Sequence, residues 1–312
     1  MITRRLLLSA TAALAMMTTG SFAQDKMYIP MISKGFQHQF WQAVKAGADQ
    51  AAAEFNVEVT FEGPETEAQV DKQIEMLTTA LSKKPAAIGF AALDSQAAIP
   101  LLRKAQAAGI PIVAFDSGVD SDIPVSTAAT SNVAAAALAA TKMSEIIGGS
   151  GKVAVIAHDQ TSRTGIDRTE GFVNEIKANH PGIEIVAVEV GAGDHLKSAE
   201  ITKTLIAANP DLKGLFATNE GGAIGMVQGV QEAKATITII GYDSGKAQTD
   251  AVRSGLMAGA ITQNPVGIGY ETVKAAVAAA KGEKVESNID TGFYWYDASN
   301  IDNAEIAAVL YD

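Results

Sequence analysis

The stretch "NPDLKGLFATNEGGAIG", residues 209–225, echoes "KKPAAIGFAALDSQAAI", residues 83–99. Each starts in a proline turn, enters a short apolar run, breaks on polar residues and continues into an Ala- or Gly-rich segment. Turn, buried strand and helix in that order form part of a parallel crossover unit. Meeting the pattern once in each half of the chain predicts two similar doubly wound halves.

Working outward, the same alternation fills nearly the whole chain. Predicted strands are "KMYIPMIS", "VEVTFE", "AAIGFA", "IPIVAFD", "KVAVIAH", "IEIVAVEV", "KGLFAT", "ITIIGYD" and "AGAITQN". Between them lie amphipathic stretches such as "FWQAVKAGADQAAAEF" and "NVAAAALAATKMSEIIG". Pro100 falls early in its helix pattern, where the first turn tolerates it. Near-continuous apolar strands separated by helices mean α/β architecture, with parallel sheets covered on both faces. The Asp/Ser/Thr/Gly-rich segment "DSGVDSDIPVSTAATSNV", residues 116–133, is the predicted crossover between halves, short enough to act as a hinge.

The first 23 residues read as a secretory signal peptide: Arg4 and Arg5, an apolar stretch, then the small-x-small pattern Ser21-Phe22-Ala23. The arginine pair fits either a general or a twin-arginine export signal. The chain has no cysteine, hence no lipid-modified cysteine and no disulfide framework. Removing the leader leaves 22 Lys+Arg against 35 Asp+Glu, a net charge of −13. That balance argues against a nucleic-acid partner, which needs a basic surface to displace phosphate counterions. The 289 residues after the leader suffice for two domains.

In open parallel sheets, ligands bind beyond the carboxyl ends of the strands. The residues at those ends are Ser33, Asp94, Ser95, Asp116, His158 and Asp159 in one series, and Asn219, Glu220, Asp243 and Gln263 in the other. Singly, each has a plain structural role: Asp116 and Asp243 start turns, and Asn219 caps a helix. Jointly, they suggest a cleft that binds many hydroxyls. The loop "SKGFQHQFW", residues 33–41, adds flat surfaces from Phe36, Phe40 and Trp41 for the apolar face of a sugar. Trp41 equally suits helix packing, and His38 is either a hydroxyl partner or a solvated loop residue. Arg168, in "TGIDRTEGF", sits in the first turns of a helix, where the dipole disfavours a cation. Either Asp116 or Asp243 across the cleft compensates it, or a surface pair with Asp167 or Glu170 does.

Catalytic motifs fail. HExxH and GxSxG are absent, and His38, His158, His180 and His195 show no metal-ligand spacing. "GGSGK", residues 148–152, lies between a helix and a strand, the reverse of the phosphate-loop order, and "DSGVDSD" lacks the glycine and glutamate of a calcium loop. The expectation is no enzyme activity, no cofactor and no metal.

Taken in order, "SKGFQHQFWQAVKAGADQAA", "IPIVAFDSG", "DRTEGF", "FATNEGGAIG", "IIGYDS" and "ITQNPVGIG" resemble the ribose-type periplasmic sugar-binding proteins of ABC importers, the type I periplasmic binding protein family. The resemblance spans essentially the whole chain after the leader. It implies two doubly wound parallel-sheet lobes joined by a three-segment hinge and closing on one sugar. The lobes would be residues 24–130 plus 264–289 and residues 131–263 plus 290–312. Carried over position by position, Ser33, Phe40, Trp41 and Asp116 look like ligand residues of the first lobe; Arg168, Asn219, Asp243 and Gln263 look like those of the second lobe and hinge. Phe36 and His38 complete the candidate set. The chain departs from ribose binders at Gln37-His38-Gln39, where they carry Asn-Pro, at Ala91, where they carry asparagine, and at Gly193, where they carry an aromatic. Fewer walls at 91 and 193 suggest a different or larger sugar or polyol.

The functional expectation is a periplasmic receptor that hands a monosaccharide or sugar alcohol to an ABC permease, and a monomer. The alternative is a ligand-sensing protein that presents a signal molecule to a chemoreceptor or sensor kinase.

Overall fold

The structure, a computed structural model, describes residues 26–311, so the signal peptide assigned to residues 1–23 lies outside the described residues. The chain runs through β1 (Tyr28–Ile32), α1 (Gln39–Phe55), β2 (Glu58–Glu62), α2 (Val70–Ser82), β3 (Ile88–Phe90), α3 (Ile99–Ala107), β4 (Ile112–Phe115) and β5 (Ser126–Ala129). It continues with α4 (Asn132–Ile147), β6 (Gly151–Ala157), α5 (Arg163–Asn179), β7 (Ile183–Val190), α6 (His195–Ala208), β8 (Leu212–Ala217) and α7 (Glu220–Glu232). Then come β9 (Thr238–Tyr242), α8 (Lys246–Arg253), β10 (Gly259–Gln263), α9 (Pro265–Ala280), β11 (Asn288–Asp290), β12 (Phe293–Tyr296) and α10 (Ala304–Ala307).

Two six-stranded sheets result, ordered β11-β5-β4-β3-β1-β2 and β12-β10-β9-β8-β6-β7. The chain passes between them three times: after β5, after β10 and between β11 and β12. All pairs in the first sheet are parallel. The second sheet departs from the expected all-parallel arrangement, because its edge strand β12 runs antiparallel to β10. A parallel neighbour needs a long crossover. β12 instead arrives from the other sheet two residues after β11, turning at Gly292 with φ 79°.

Helices cover both faces of each sheet through 3.6-residue periodicity. In α1 the buried side is Phe40, Trp41, Val44, Gly47, Ala48 and Ala51, and the helix stops at Asn56 in the left-handed conformation. One apolar cluster packs α1 and α9 on the first sheet around Ile29, Met31, Val113 and Phe115; another packs Leu77 and Leu102 on its opposite face. The second sheet is likewise buried between two clusters, centred on Leu215 and Met226 and on Phe172 and Phe216. Each fully buried Leu, Ile or Phe contributes about 1.5–3 kcal/mol relative to exposure.

Helices α1 and α9 approach unusually closely. A Cβ on Gly47 would lie 1.9 Å from the Val266 carbonyl oxygen, and one on Gly269 would lie 1.9 Å from that of Val44. This contact fixes α9 against the first sheet, and the chain end follows: Tyr311 sets its ring 6.1 Å from Phe40 while its hydroxyl accepts from Ser244 N at 2.9 Å.

Candidate functional site

The cavity-lining groups come from strand ends, loops or the first turns of helices at one edge of each sheet, as the topology dictates. The cavity is small and is lined by Lys34, His38, Phe40, Trp41, Glu67, Asp116, His158, Arg168, Asn219, Asp243 and Gln263. The lobes meet around it. Lys34 Nζ donates to Thr164 Oγ1 at 2.9 Å, Ser95 N donates to the Thr161 carbonyl at 2.9 Å, and Thr161 Oγ1 donates to the Leu93 carbonyl at 3.1 Å.

Asp116 and Asp243 follow β4 and β9 in matching positions. Both take the left-handed conformation, with φ 55° and 82°, which costs a non-glycine residue about 1–2 kcal/mol and here aims each carboxylate into the cavity. Asp243 is held from two sides: Gln263 Nε2 donates to its Oδ1 at 2.7 Å, and Glu220 N donates to its Oδ2 at 2.9 Å. Asp116 has no such support. Burial pushes its carboxyl up to about 6, against the opposing pull of Lys34 and Arg168.

Arg168 resolves the puzzle of a cation near a helix start. It is 3% exposed; its Nε donates to Asn132 Oδ1 at 2.7 Å and its Nη1 to the Thr218 carbonyl at 3.0 Å. The guanidinium carbon lies 3.9 Å from the centre of the Tyr242 ring, a cation–π contact. Its Nη2 points toward Asp116 Oδ1 at 3.8 Å. Burial opposes its charge, but Tyr242, Asp243 and Asp116 together raise its pKa. The expected pairing with a carboxylate of the cleft is therefore present, whereas Asp167 turns to Arg163.

The remaining walls mix aromatic faces with charge. Phe40 and Trp41 pack edge to face with centroids 5.0 Å apart, both nearly fully buried, so they serve the core and the cavity at once. Trp41 Nε1 donates to Glu67 Oε1 at 2.7 Å. Burial resists ionisation of Glu67, but the Lys34 charge and the Trp41 hydrogen bond favour the carboxylate, and its pKa lies below the ordinary value. Burial lowers the His158 pKa and keeps the ring neutral; the ring nitrogens sit 2.7 Å from Thr218 Oγ1 and 3.2 Å from Thr164 Oγ1. Amides of Gln37 and Asn219 converge on His38 Nε2 at 3.0 and 3.5 Å. Gln263 Oε1 is buried without a hydrogen-bond partner among the described residues, an acceptor left for whatever fills the cavity.

Eight of the ten candidate residues thus meet at one cavity: His38, Phe40, Trp41, Asp116, Arg168, Asn219, Asp243 and Gln263. Ser33 and Phe36 do not line it. The Ser33 hydroxyl is used up locally, donating to the carbonyls of Gly35 and Glu62. Phe36 is 38% exposed and rests edge-on against Phe61. Lys34, Glu67 and His158 were not among the candidates, although His158 stands at a strand end. The room expected at Gly193 is filled: a Cβ there would meet Asn219 Nδ2, Gln37 Nε2 and Glu67 Oε2 at 3.2–3.5 Å. Among the described residues no cluster of His, Cys, Asp and Glu is arranged to hold a metal ion.

Two α/β lobes that share three chain crossings and clasp a small polar cavity define a two-lobe solute-binding protein. The chain belongs to the periplasmic binding protein family: the family described as "Periplasmic binding protein domain" matches residues 29–284. Among curated relatives, the D-allose-binding periplasmic protein of Escherichia coli (strain K12) is 26% identical over 287 residues, covering 89% of this chain and 91% of that protein. A solute-binding protein of an ABC transporter from Agrobacterium vitis, solved with alpha-D-tagatopyranose, is 32% identical with a TM-score of 0.89, covering 92% of this chain and all of that one. Another from Agrobacterium vitis, solved with D-fucose, is 34% identical with a TM-score of 0.88, over 91% of this chain and 100% of that one. Members of this family bind solutes and carry out no chemistry on them, in keeping with the lack of a catalytic motif.

Proposed function

We propose that this protein is a periplasmic receptor that closes on one monosaccharide or sugar alcohol and delivers it to an ABC importer. The observation that carries the reading is the Asp116–Arg168 pair. Each side chain has hydrogen-bonding capacity left over, and each comes from a different lobe, so a ligand that bridges them favours the closed state. Carboxylate, guanidinium and amide groups at fixed positions suit the hydroxyl rim of a sugar, and Phe40 and Trp41 suit its apolar face. A micromolar dissociation constant needs only about −8 kcal/mol, within reach of a few charge-assisted hydrogen bonds.

Residues 1–23 act as the export signal in this reading. Both halves of the cleft come from one chain, which makes a monomer the binding unit. The candidate ligand residues are those at the cavity, with Ser33 and Phe36 shaping the loop around it. A chemoreceptor would read the same closed surface as a permease, and capture of membrane partners with the closed protein separates the two outputs.

A thermal-shift screen of residues 24–312 tests the reading, using pentoses, hexoses and polyols that include D-arabinose, D-tagatose, D-fucose and D-allose. A ligand that binds only the folded state raises the melting temperature. One clear hit, lost in Asp116→Ala, supports it. Folded protein with no hit across the panel overturns it.

A further inference from the structure

Helix α1 begins without a cap of its own, since His38 at its N-cap position makes no side-chain hydrogen bond there. Its first amides are met from the opposite lobe. Gln39 N donates to Glu220 Oε1 at 3.3 Å, and Phe40 N donates to Glu220 Oε2 at 3.4 Å. The relation is mutual. Helix α8 of the second lobe also lacks a side-chain cap, because Gly245 precedes it, and Lys246 N donates to Gln39 Oε1 at 2.8 Å. Each lobe therefore supplies the acceptor for otherwise orphaned amides at a helix start in the other.

The backbone makes room for this exchange. A Cβ on Gly245 would stand 2.8 Å from Glu220 Oε1 and 2.9 Å from Gln39 Oε1, so both side chains occupy the space any other residue would fill. A Cβ on Gly221 would stand 2.0 Å from the Gly193 carbonyl and 2.8 Å from His38 Cε1. Glu220 is not part of the cavity lining. It reaches the cavity indirectly, because its own amide donates to Asp243 Oδ2. Burial, and then the Asp243 charge, push the Glu220 carboxyl up to about 7, against the opposing pull of the α1 amides of Gln39 and Phe40.

We propose that Glu220 and Gln39 are positioning residues that hold the cleft shut by capping helices across it, and so set how long a ligand is retained without touching it. The proposal rests on the receptor reading for what the cleft encloses; the latch itself needs no ligand. When the lobes part, all three amides lose their side-chain acceptors and return to water. Gain and loss of these bonds thus belong to closure alone.

The chain has no cysteine, so Glu65→Cys and Leu196→Cys, one exposed site on each lobe, can carry spin labels without background. Pulsed electron resonance then reads the closed-to-open ratio, first without sugar and then with D-arabinose, D-tagatose and D-fucose in turn. Losing one cap is expected to lower that ratio about fivefold in Glu220→Ala and in Gln39→Ala. Glu220→Gln, which keeps an acceptor oxygen, should retain most of the closure. Where a sugar binds, the two Ala variants should release it faster while capturing it at an unchanged rate, a split that general loss of structure does not produce. Gln39 is exposed, so its variant carries the test even if Glu220→Ala folds poorly. Closed fractions equal to that of the unmodified protein in both Ala variants overturn the latch, as does a protein that never populates the closed distance. Variant-dependent closure with no response to any sugar would instead support the latch and count against the sugar reading.

Discussion

Arg168 and Asp116 face each other across the seam between the lobes, Nη2 to Oδ1 at 3.8 Å, close enough to attract and too far to hydrogen-bond. The two partners are not equally settled. Arg168 has two strong acceptors and an aromatic face, whereas Asp116 is held up at about 6 by burial with no compensating hydrogen bond. On the proposed receptor reading, a ligand hydroxyl would supply the hydrogen bond that Asp116 lacks.

Opposite effects on stability follow for the two members of the pair. Asp116→Asn removes a buried charge that lacks hydrogen bonds, and should stabilise the ligand-free protein at neutral pH by about 1–3 kcal/mol while weakening sugar binding about 10- to 100-fold. Arg168→Ala strands Asn132 Oδ1 and the Thr218 carbonyl and should cost about 3–5 kcal/mol. Thermal unfolding of both variants, with calorimetry for binding, checks the pair. Equal losses of melting temperature would show that Asp116 is as well satisfied as Arg168.

The raised carboxyls give stability a definite pH slope. Asp116 moves from 3.8 to about 6 and Glu220 from 4.5 to about 7, so each contributes stability that is fully present below its unfolded pKa and lost as pH rises through the folded value. The ligand-free protein should therefore lose stability between about pH 4.5 and 7. Asp159 and Glu67 are shifted downward and act in the opposite sense at lower pH. Affinity should run the other way from stability, because sugar hydroxyls donate best to an ionised Asp116. Binding measured at pH 5 and pH 7 should strengthen about tenfold toward pH 7, and a constant affinity would remove Asp116 from the ligand's contacts.

Much of this site is legible from strand ends alone. Asp116, Asn219, Asp243 and Gln263 each close an apolar run, and the topology of parallel sheets sends every such residue to the same edge. Glu67 is invisible by that logic: it sits in the loop "GPETEAQ", which carries no periodicity, and at the cavity its carboxylate accepts from Trp41 Nε1. Ser33 illustrates a different limit, since sequence places a hydroxyl at a strand end without revealing that nearby carbonyls consume it. In the fold, β5 is hidden because "STAA" has no apolar run; it becomes a strand by pairing with β4 and β11, a distant partner that only the tertiary structure brings alongside. The aromatic "FYWY" of β12 is a strong strand former, but its antiparallel direction is set by the crossing at Gly292.

Glu67 is expected to limit the size of the ligand. Its carboxylate and Gln37 occupy the space beside Gly193, where the chain would otherwise offer room. Glu67→Ala should enlarge the cavity, free Trp41 Nε1 and shift preference toward bulkier sugars while lowering overall affinity by about 1–3 kcal/mol. A thermal-shift comparison of pentoses with hexoses reads the change in rank order. An unaltered order in a folded variant would move size selection to another wall.

The α1–α9 contact should be intolerant of even one methyl group. Gly47 and Gly269 sit reciprocally on the carbonyls of Val266 and Val44, each with only 1.9 Å available to a Cβ, and backbone on both sides cannot turn aside as a side chain would. Gly47→Ala and Gly269→Ala should each cost about 1–3 kcal/mol, or more, by prising the helices apart. Gly118→Ala is the matched control, because its nearest neighbour, Thr127 Cγ2, stands 4.0 Å away. That variant should be neutral or slightly stabilising through the unfolded chain. Melting temperatures decide the matter: if all three variants unfold together, α9 is held by its apolar face alone, and the close approach of the two backbones is not what ties it to the first lobe.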